Sequence, residues 1–187
     1  MNSQYITLSR ILVLGLILSS FYSLSAQKLS SPEEILKANE QRAQLRRNSL
    51  LAKLPARNIG PNVQGGRIVD IDVHPRDEHT WFVAYASGGL FKTSNNGQSF
   101  EPIFDNQGAL GMGDFAMSPS NPDVIYVGTG ENNSSRSSYA GAGVYRTSNG
   151  GQTWEFRGLA GTHHIGRVIV HPKSPNTVWV ASIGPLY

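Results

Sequence analysis

Two short stretches decide the fold: Thr93-Ser-Asn-Asn-Gly-Gln-Ser-Phe100 and Thr147-Ser-Asn-Gly-Gly-Gln-Thr-Trp154. Both obey one pattern, Ser/Thr, any residue, Asn, any residue, Gly, any residue, Ser/Thr, aromatic. Each follows a short apolar strand, Leu90-Phe91-Lys92 or Val144-Tyr145-Arg146. The pattern has a mechanical explanation as a tight hairpin turn. Gly97 and Gly151 can adopt positive φ, and the side-chain oxygens of Asn95 and Asn149 can cap turn amides. Phe100 and Trp154 can then anchor the hairpin in an apolar core. Thr93 and Thr147 open the two copies.

Working outward, the chain repeats. Three first strands each run up to a proline: Arg67 to Pro75, Gly111 to Pro119 and His164 to Pro172. Within them Ile71 and Val73, Phe115 and Met117, and Val168 and Val170 alternate onto one face. A polar turn and a second apolar strand follow each time, Thr80–Tyr85, Val124–Gly128 and Thr177–Ala181. Each unit thus predicts four antiparallel strands, with the Asn-Gly turn joining the third to the fourth. Blade 1 is expected over about 58–110, blade 2 over about 111–163, and a partial blade 3 over 164–187. Blade 2 is the longer, its excess centred on Asn132-Asn-Ser-Ser-Arg-Ser-Ser-Tyr139. The expected fold is all-β, a β-propeller of four-stranded blades, seen as an N-terminal fragment of about two and a half blades where closure needs about four or more.

On these residues the chain resembles the Asp-box (BNR) β-propellers, among them sialidases, xyloglucan hydrolases and sortilin ectodomains. It is most similar to secreted bacterial sortilin-like or glycosyl-hydrolase-like repeat proteins. The resemblance rests on Ile59-Gly-Pro61, Gly65-Gly-Arg67, Ala86-Ser-Gly-Gly-Leu90, Phe104-Asp-Asn106, Gly128-Thr-Gly-Glu131 and His164-Ile-Gly-Arg167. In one respect the chain departs from it: the box Asp is replaced by Asn95 and Asn149, which removes the charge a structural calcium would need. No metal and no cofactor are expected.

The resemblance implies two classes of function. One is a binding propeller whose loop-rich rim takes a glycan, a peptide or a protein ligand. The other is a glycoside hydrolase, whose chemistry requires two carboxylates or a tyrosine nucleophile with arginines. The resembling xyloglucan hydrolases carry a catalytic Asp where this chain has Ala86-Ser87 before Gly88-Gly89, and the sialidase Arg-Ile-Pro motif is here Arg67-Ile68-Val69. Neither catalytic set carries over residue by residue, so the binding class leads.

The front of the chain has another character. Arg10 and the apolar run Ile11–Leu18, followed by Ser-rich residues to Ala26, read as a secretory signal over residues 1–26. Its apolar run is shorter than the ~20 residues of a membrane span, so no transmembrane anchor is expected after cleavage. The protein should be exported: secreted, periplasmic or on the outer cell surface. Residues 27–57 form a basic leader, with a helix start at Ser30-Ser31-Pro32-Glu33-Glu34 and helix-forming residues to about Lys53. Lys28, Lys37, Arg42, Arg46, Arg47, Lys53 and Arg57 face only three acids there, whereas residues 58–187 hold more acids than bases. The high pI therefore belongs to the leader and does not mark a nucleic-acid-binding domain. With no cysteine in the chain, disulfides and thiolate chemistry are excluded.

Repeats separate scaffold from site. His74 and His171 recur before the strand-end prolines and read as scaffold; Trp81 and Trp179 recur and read as blade core. The singular polar residues are Arg67, Glu131, Asn132, Arg136, His163 and His164. Topology sends them to one rim, because connections between strands two and three share a rim with the connections between blades. The Asn-Gly turns lie on the opposite rim. Asp70, Asp114 and Arg167 share one column of the innermost strands and are expected along the central channel.

Overall fold

The computed structural model describes residues 29–54, 66–133 and 138–185. The signal segment 1–26, Ile59-Gly60-Pro61, Gly65, Arg136 and Tyr187 lie outside them. The chain divides into two units, Met1–Ser30 and Ser31–Tyr187, and the elements below all belong to the second.

Helix α1 spans Pro32–Asn48. Ser31 caps it through a reciprocal box: its hydroxyl accepts from Glu34 N, and the Glu34 carboxylate accepts from Ser31 N at 2.7 Å. Acids fill the first turn and Arg46 and Arg47 the last, as the helix dipole favours. The helix ends five residues short of the expected Lys53. Ser49 turns extended, and its hydroxyl accepts from Leu51 N, so a local side-chain bond competes with the helical ladder. Among the described residues no helix is long and apolar enough to cross a membrane.

The rest is all-β. Strands β1 (Ile68–Val73), β2 (Trp81–Tyr85), β3 (Gly89–Thr93) and β4 (Glu101–Pro102) form one antiparallel meander. Strands β5 (Met112–Met117), β6 (Ile125–Thr129), β7 (Val144–Thr147) and β8 (Glu155–Phe156) repeat it. Strands β9 (Ile165–His171) and β10 (Ser174–Ser182) pair as the start of a third sheet. Both four-stranded sheets keep one register, Ile71 opposite Val83 and Val83 opposite Phe91, then Phe115 opposite Val127 and Val127 opposite Tyr145. These are propeller blades, and their innermost strands β1, β5 and β9 lie side by side.

The blades join through two columns of β1, β5 and β9. One column faces back: Phe115 is 1% exposed against blade 1, and Val168 and Val170 are buried against blade 2. The other faces forward and carries carboxylates. Asp72 accepts from Met117 N at 3.0 Å, and Asp114 accepts from Val168 N at 2.6 Å. Each joint is thus apolar packing pinned by a side chain of one blade on the backbone of the next. At the outer ends the same columns lie open: Ile71 is 46% exposed, and Ile169 and Trp179 are more than half exposed. Trp179 therefore departs from the expected blade core. Among the described residues its strand, β10, pairs with β9 alone, and the ring lies near His171 instead.

The Asn-Gly turns fold as the sequence predicts, with a partner the pattern alone conceals. Gly97 and Gly151 have φ of 80° and 93°. The Thr147 hydroxyl donates to Asn149 Oδ1 at 2.8 Å and accepts from the amides of Asn149 and Gly151. Asn149 Oδ1 also accepts from Thr153 N, and its Nδ2 donates to the Thr153 hydroxyl. Thr93, Asn95 and Ser99 repeat the network. Trp154 donates from Nε1 to the Ile103 carbonyl at 2.8 Å, tying the blade 2 turn to the exit of blade 1; Phe100 instead packs edge-on against Trp81.

Thr147→Val leaves two amides and one carbonyl oxygen without that hydroxyl in a buried turn. We expect a loss of about 2–3 kcal/mol in urea unfolding. Asn149→Asp, which keeps the acceptor and lets Thr153 donate, should stay within about 0.5 kcal/mol of the parent.

Candidate functional site

Three segments meet at the rim. Arg67 enters β1, its carbonyl held by Ala86 N at 2.9 Å. Glu131 and Asn132 open the long connection from β6 to β7. His163 and His164 lead from a short 3-10 turn (Ala160–Thr162) into β9. The structure brings these five residues together.

Glu131 is the centre. It is 0% exposed, and the guanidinium of Arg67, whose side chain is 48% exposed, forms an ion pair with its Oε1. Neither carboxylate oxygen makes a hydrogen bond of ordinary geometry with a described residue. A buried carboxylate is costly unless paired, so Arg67 offsets a burial that the backbone enforces. That enforcement is visible: Glu131 N donates to Tyr139 O, and the Glu131 carbonyl accepts from His164 Nδ1 at 2.7 Å. The bond sets the His164 tautomer with its proton on Nδ1. Burial first, and the neighbouring His163 second, push the His164 pKa below its usual value, so the ring is neutral at pH 7.

His163 is strained. Its φ of 56° and ψ of −50°, with His164 N donating to Thr162 O at 2.5 Å, make a γ-turn of the rare positive-φ kind. Its carbonyl is gripped by Gly141 N at 2.6 Å. Gly130, at φ 91°, lies so close that a Cβ there would meet the His163 carbonyl. No sequence pattern announced this turn. Asn132 completes the group by donating from Nδ2 to Gly166 O at 3.2 Å. Glu131, His163 and His164 are thus buried between blades, while Arg67 and Asn132 reach outward.

The second cluster is the column Asp70, Asp114 and Arg167. Asp114 is 2% exposed and accepts from the next blade, so it serves the joint. Arg167, well exposed, stands 3.6 Å from its Oδ1. Asp70 is close enough to raise the Asp114 pKa, and its own Oδ1 accepts from Ile71 N. Burial pushes the Asp114 pKa up to about 6; the Val168 amide lowers it, Asp70 raises it and Arg167 lowers it. Asp72 is raised too, again mainly by burial.

The sign follows. A carboxyl whose folded pKa exceeds its unfolded value binds more protons when folded, so stability falls as pH rises through that interval. Between pH 4 and pH 7 Asp114 should cost the fold on the order of 1–2 kcal/mol, after discounting for solvent screening at the blade edge. Denaturant midpoints should therefore be higher at pH 5 than at pH 7. Asp114→Asn, which keeps an acceptor for Val168 N, should flatten most of that difference.

The scaffold histidines have a visible task. His74 Nδ1 accepts from Arg76 N, and His171 Nδ1 accepts from Lys173 N and Ser174 N. In blade 2 the Ser118 hydroxyl takes that place, accepting from Asn121 N. Among the described residues no group of three or more His, Asp or Glu is placed to hold a metal ion.

No protein-family model matches the chain, and no curated protein matches it. Solved structures do. An ancestral GH74 enzyme shares 22% identity, with 61% of this chain and 16% of that one covered and a TM-score of 0.48. The GH74 enzyme of Niastella koreensis shares 18% identity, with 60% and 16% covered and a TM-score of 0.46. The GH74 xyloglucanase from Xanthomonas campestris shares 16% identity, with 63% and 20% covered and a TM-score of 0.37. The chain spans a fifth or less of the length of these three proteins.

Proposed function

We propose that this chain is part of an exported Asp-box β-propeller, sortilin-like in its repeats, that binds a glycan, peptide or protein ligand over the rim formed by Arg67 and Asn132. The observation that carries the reading is the pairing of a buried Glu131 carboxylate with a half-exposed Arg67. A guanidinium held at its inner edge and open at its outer edge is pre-organised for a polar ligand. Glu131, His163 and His164 act behind it as positioning residues. Arg136, which the sequence assigns to the same rim, lies outside the described residues. Loops on a rigid scaffold are where such recognition concentrates.

Hydrolysis is the second reading. It needs two carboxylates about 5–5.5 Å or 6.5–9.5 Å apart around the scissile bond. Among the described residues Asp70 is engaged by Ile71 N and Asp114 by Val168 N. Carboxylates committed to main-chain amides of the scaffold are poor candidates for that pair.

The test is to screen the protein against arrays of cell-wall oligosaccharides and of peptides, then to titrate the tightest binder. Arg67→Ala and Asn132→Ala should each weaken it by about 1–3 kcal/mol. Gln98→Ala and Gln152→Ala, on the opposite rim, should change it little. Equal losses from both pairs would remove the rim from recognition.

A further inference from the structure

A cleft of about 520 Å³ opens between α1, the connection after Phe104 and the outer strands of blade 2. That is the size of a small-ligand site. Its helix side carries Arg42, Arg46 and Arg47, opposed by Glu40. Arg42 Nη1 donates to the Gln107 carbonyl at 2.7 Å, and Arg46 donates to Asn106 Oδ1. Both acceptors are neutral, so the bonds fix the guanidinium groups without cancelling their charge. Among the described residues none of the three arginines is ion-paired with a carboxylate.

The opposite wall is aromatic. Phe156, 38% exposed, packs edge-on against the buried Tyr145 at 5.5 Å and borders the cleft. The Arg42 charge is felt at the Tyr145 hydroxyl, whose pKa burial raises while the Gly108 amide and Arg42 lower it.

Unneutralised guanidinium groups, two of them fixed, beside a half-open ring suit one ligand chemistry: anionic groups on a body with flat C–H faces. An inorganic anion would leave most of the volume and the ring unused. An acidic peptide would use the charges but has no sugar-like face for the ring. We propose that this cleft binds a short acidic oligosaccharide, its carboxylates on Arg46 and Arg47 and a sugar face on Phe156. The site shares no residue with the rim and stands whether or not the rim binds anything.

The probe is trigalacturonate, titrated calorimetrically into the full chain, with its methyl ester and triglutamate in parallel. Trigalacturonate should bind, and the neutral ester at least tenfold more weakly. Arg47→Ala and Arg46→Ala should each weaken trigalacturonate at least tenfold with the thermal midpoint unchanged, and Phe156→Leu about fivefold. If Phe156→Leu proves unstable, the two arginine variants and the ester carry the test. Absence of trigalacturonate binding overturns the proposal. So does triglutamate binding as tightly as trigalacturonate, which would reduce the cleft to a charged patch.

Discussion

Replacing Phe104 by alanine should cost about 3–5 kcal/mol and shift the urea midpoint more than any other single truncation of an apolar side chain between the blades. Phe104 sits in the connection from β4 to β5 with no exposed surface. Its ring meets Tyr145 at 5.3 Å and Trp154 at 5.0 Å, both edge-on, so a blade 1 residue packs on blade 2 aromatics within a core that both blades share. Removing it takes away buried area and two aromatic contacts at once. The void cannot collapse easily, because Trp154 is fixed by its bond to Ile103 O. Domains of this size are stable by only about 5–15 kcal/mol, so much of the margin would go. A midpoint shift worth under about 1.5 kcal/mol would show that the two blades do not share this core.

Gly130→Ala should be comparably damaging, by about 3 kcal/mol or more, and its damage should fall on the rim. Gly130 has φ 91°, and a methyl group there would collide with the His163 carbonyl and lie 2.8 Å from Gly141 N. Relief requires moving the strained γ-turn at His163 or breaking the bond from Gly141 N to His163 O. Either movement carries His164 away from the Glu131 carbonyl. Proton NMR of the His164 ring offers a direct readout, since its slowly exchanging Nδ1–H signal should vanish in the variant. Retention of that signal together with parental stability would mean that the γ-turn is not what holds the rim.

How far the sequence alone reaches depends on the range of the interactions involved. The Asn-Gly turns were legible because Thr93, Asn95 and Gly97 satisfy one another within a few residues, and so do Thr147, Asn149 and Gly151. The two faces of β1, β5 and β9 were legible from alternation. The convergence of Arg67, Glu131, Asn132, His163 and His164 followed from strand topology, which sends their three segments to one rim. Their depth did not follow: Glu131 is buried because three distant segments close over it. The carboxylate joints were also hidden, although Asp is disfavoured in strands, and Asp70, Asp72 and Asp114 in mid-strand were a signal that a backbone amide elsewhere needed an acceptor. The early end of α1 came from the Ser49 hydroxyl, a competitor weaker to the eye than Pro55.

The asymmetry of the joints bears on how such a chain can change over time. At each joint the giving blade must supply a specific carboxylate, Asp72 or Asp114, whereas the receiving blade supplies only a main-chain N–H, at Met117 or Val168. Any residue except proline carries that N–H. The receiver's identity is therefore free apart from its size, although the two joints sit two residues apart along the strand: counted back from Pro75 and Pro119, Asp72 is third and Asp114 fifth. A blade transposed within the gene would need no matching substitution of its own, provided its new predecessor carried an aspartate at one of these two positions. Joints read in one direction leave the receiving blade free to change, and diversity can then gather in the rim loops while one aspartate per joint is kept.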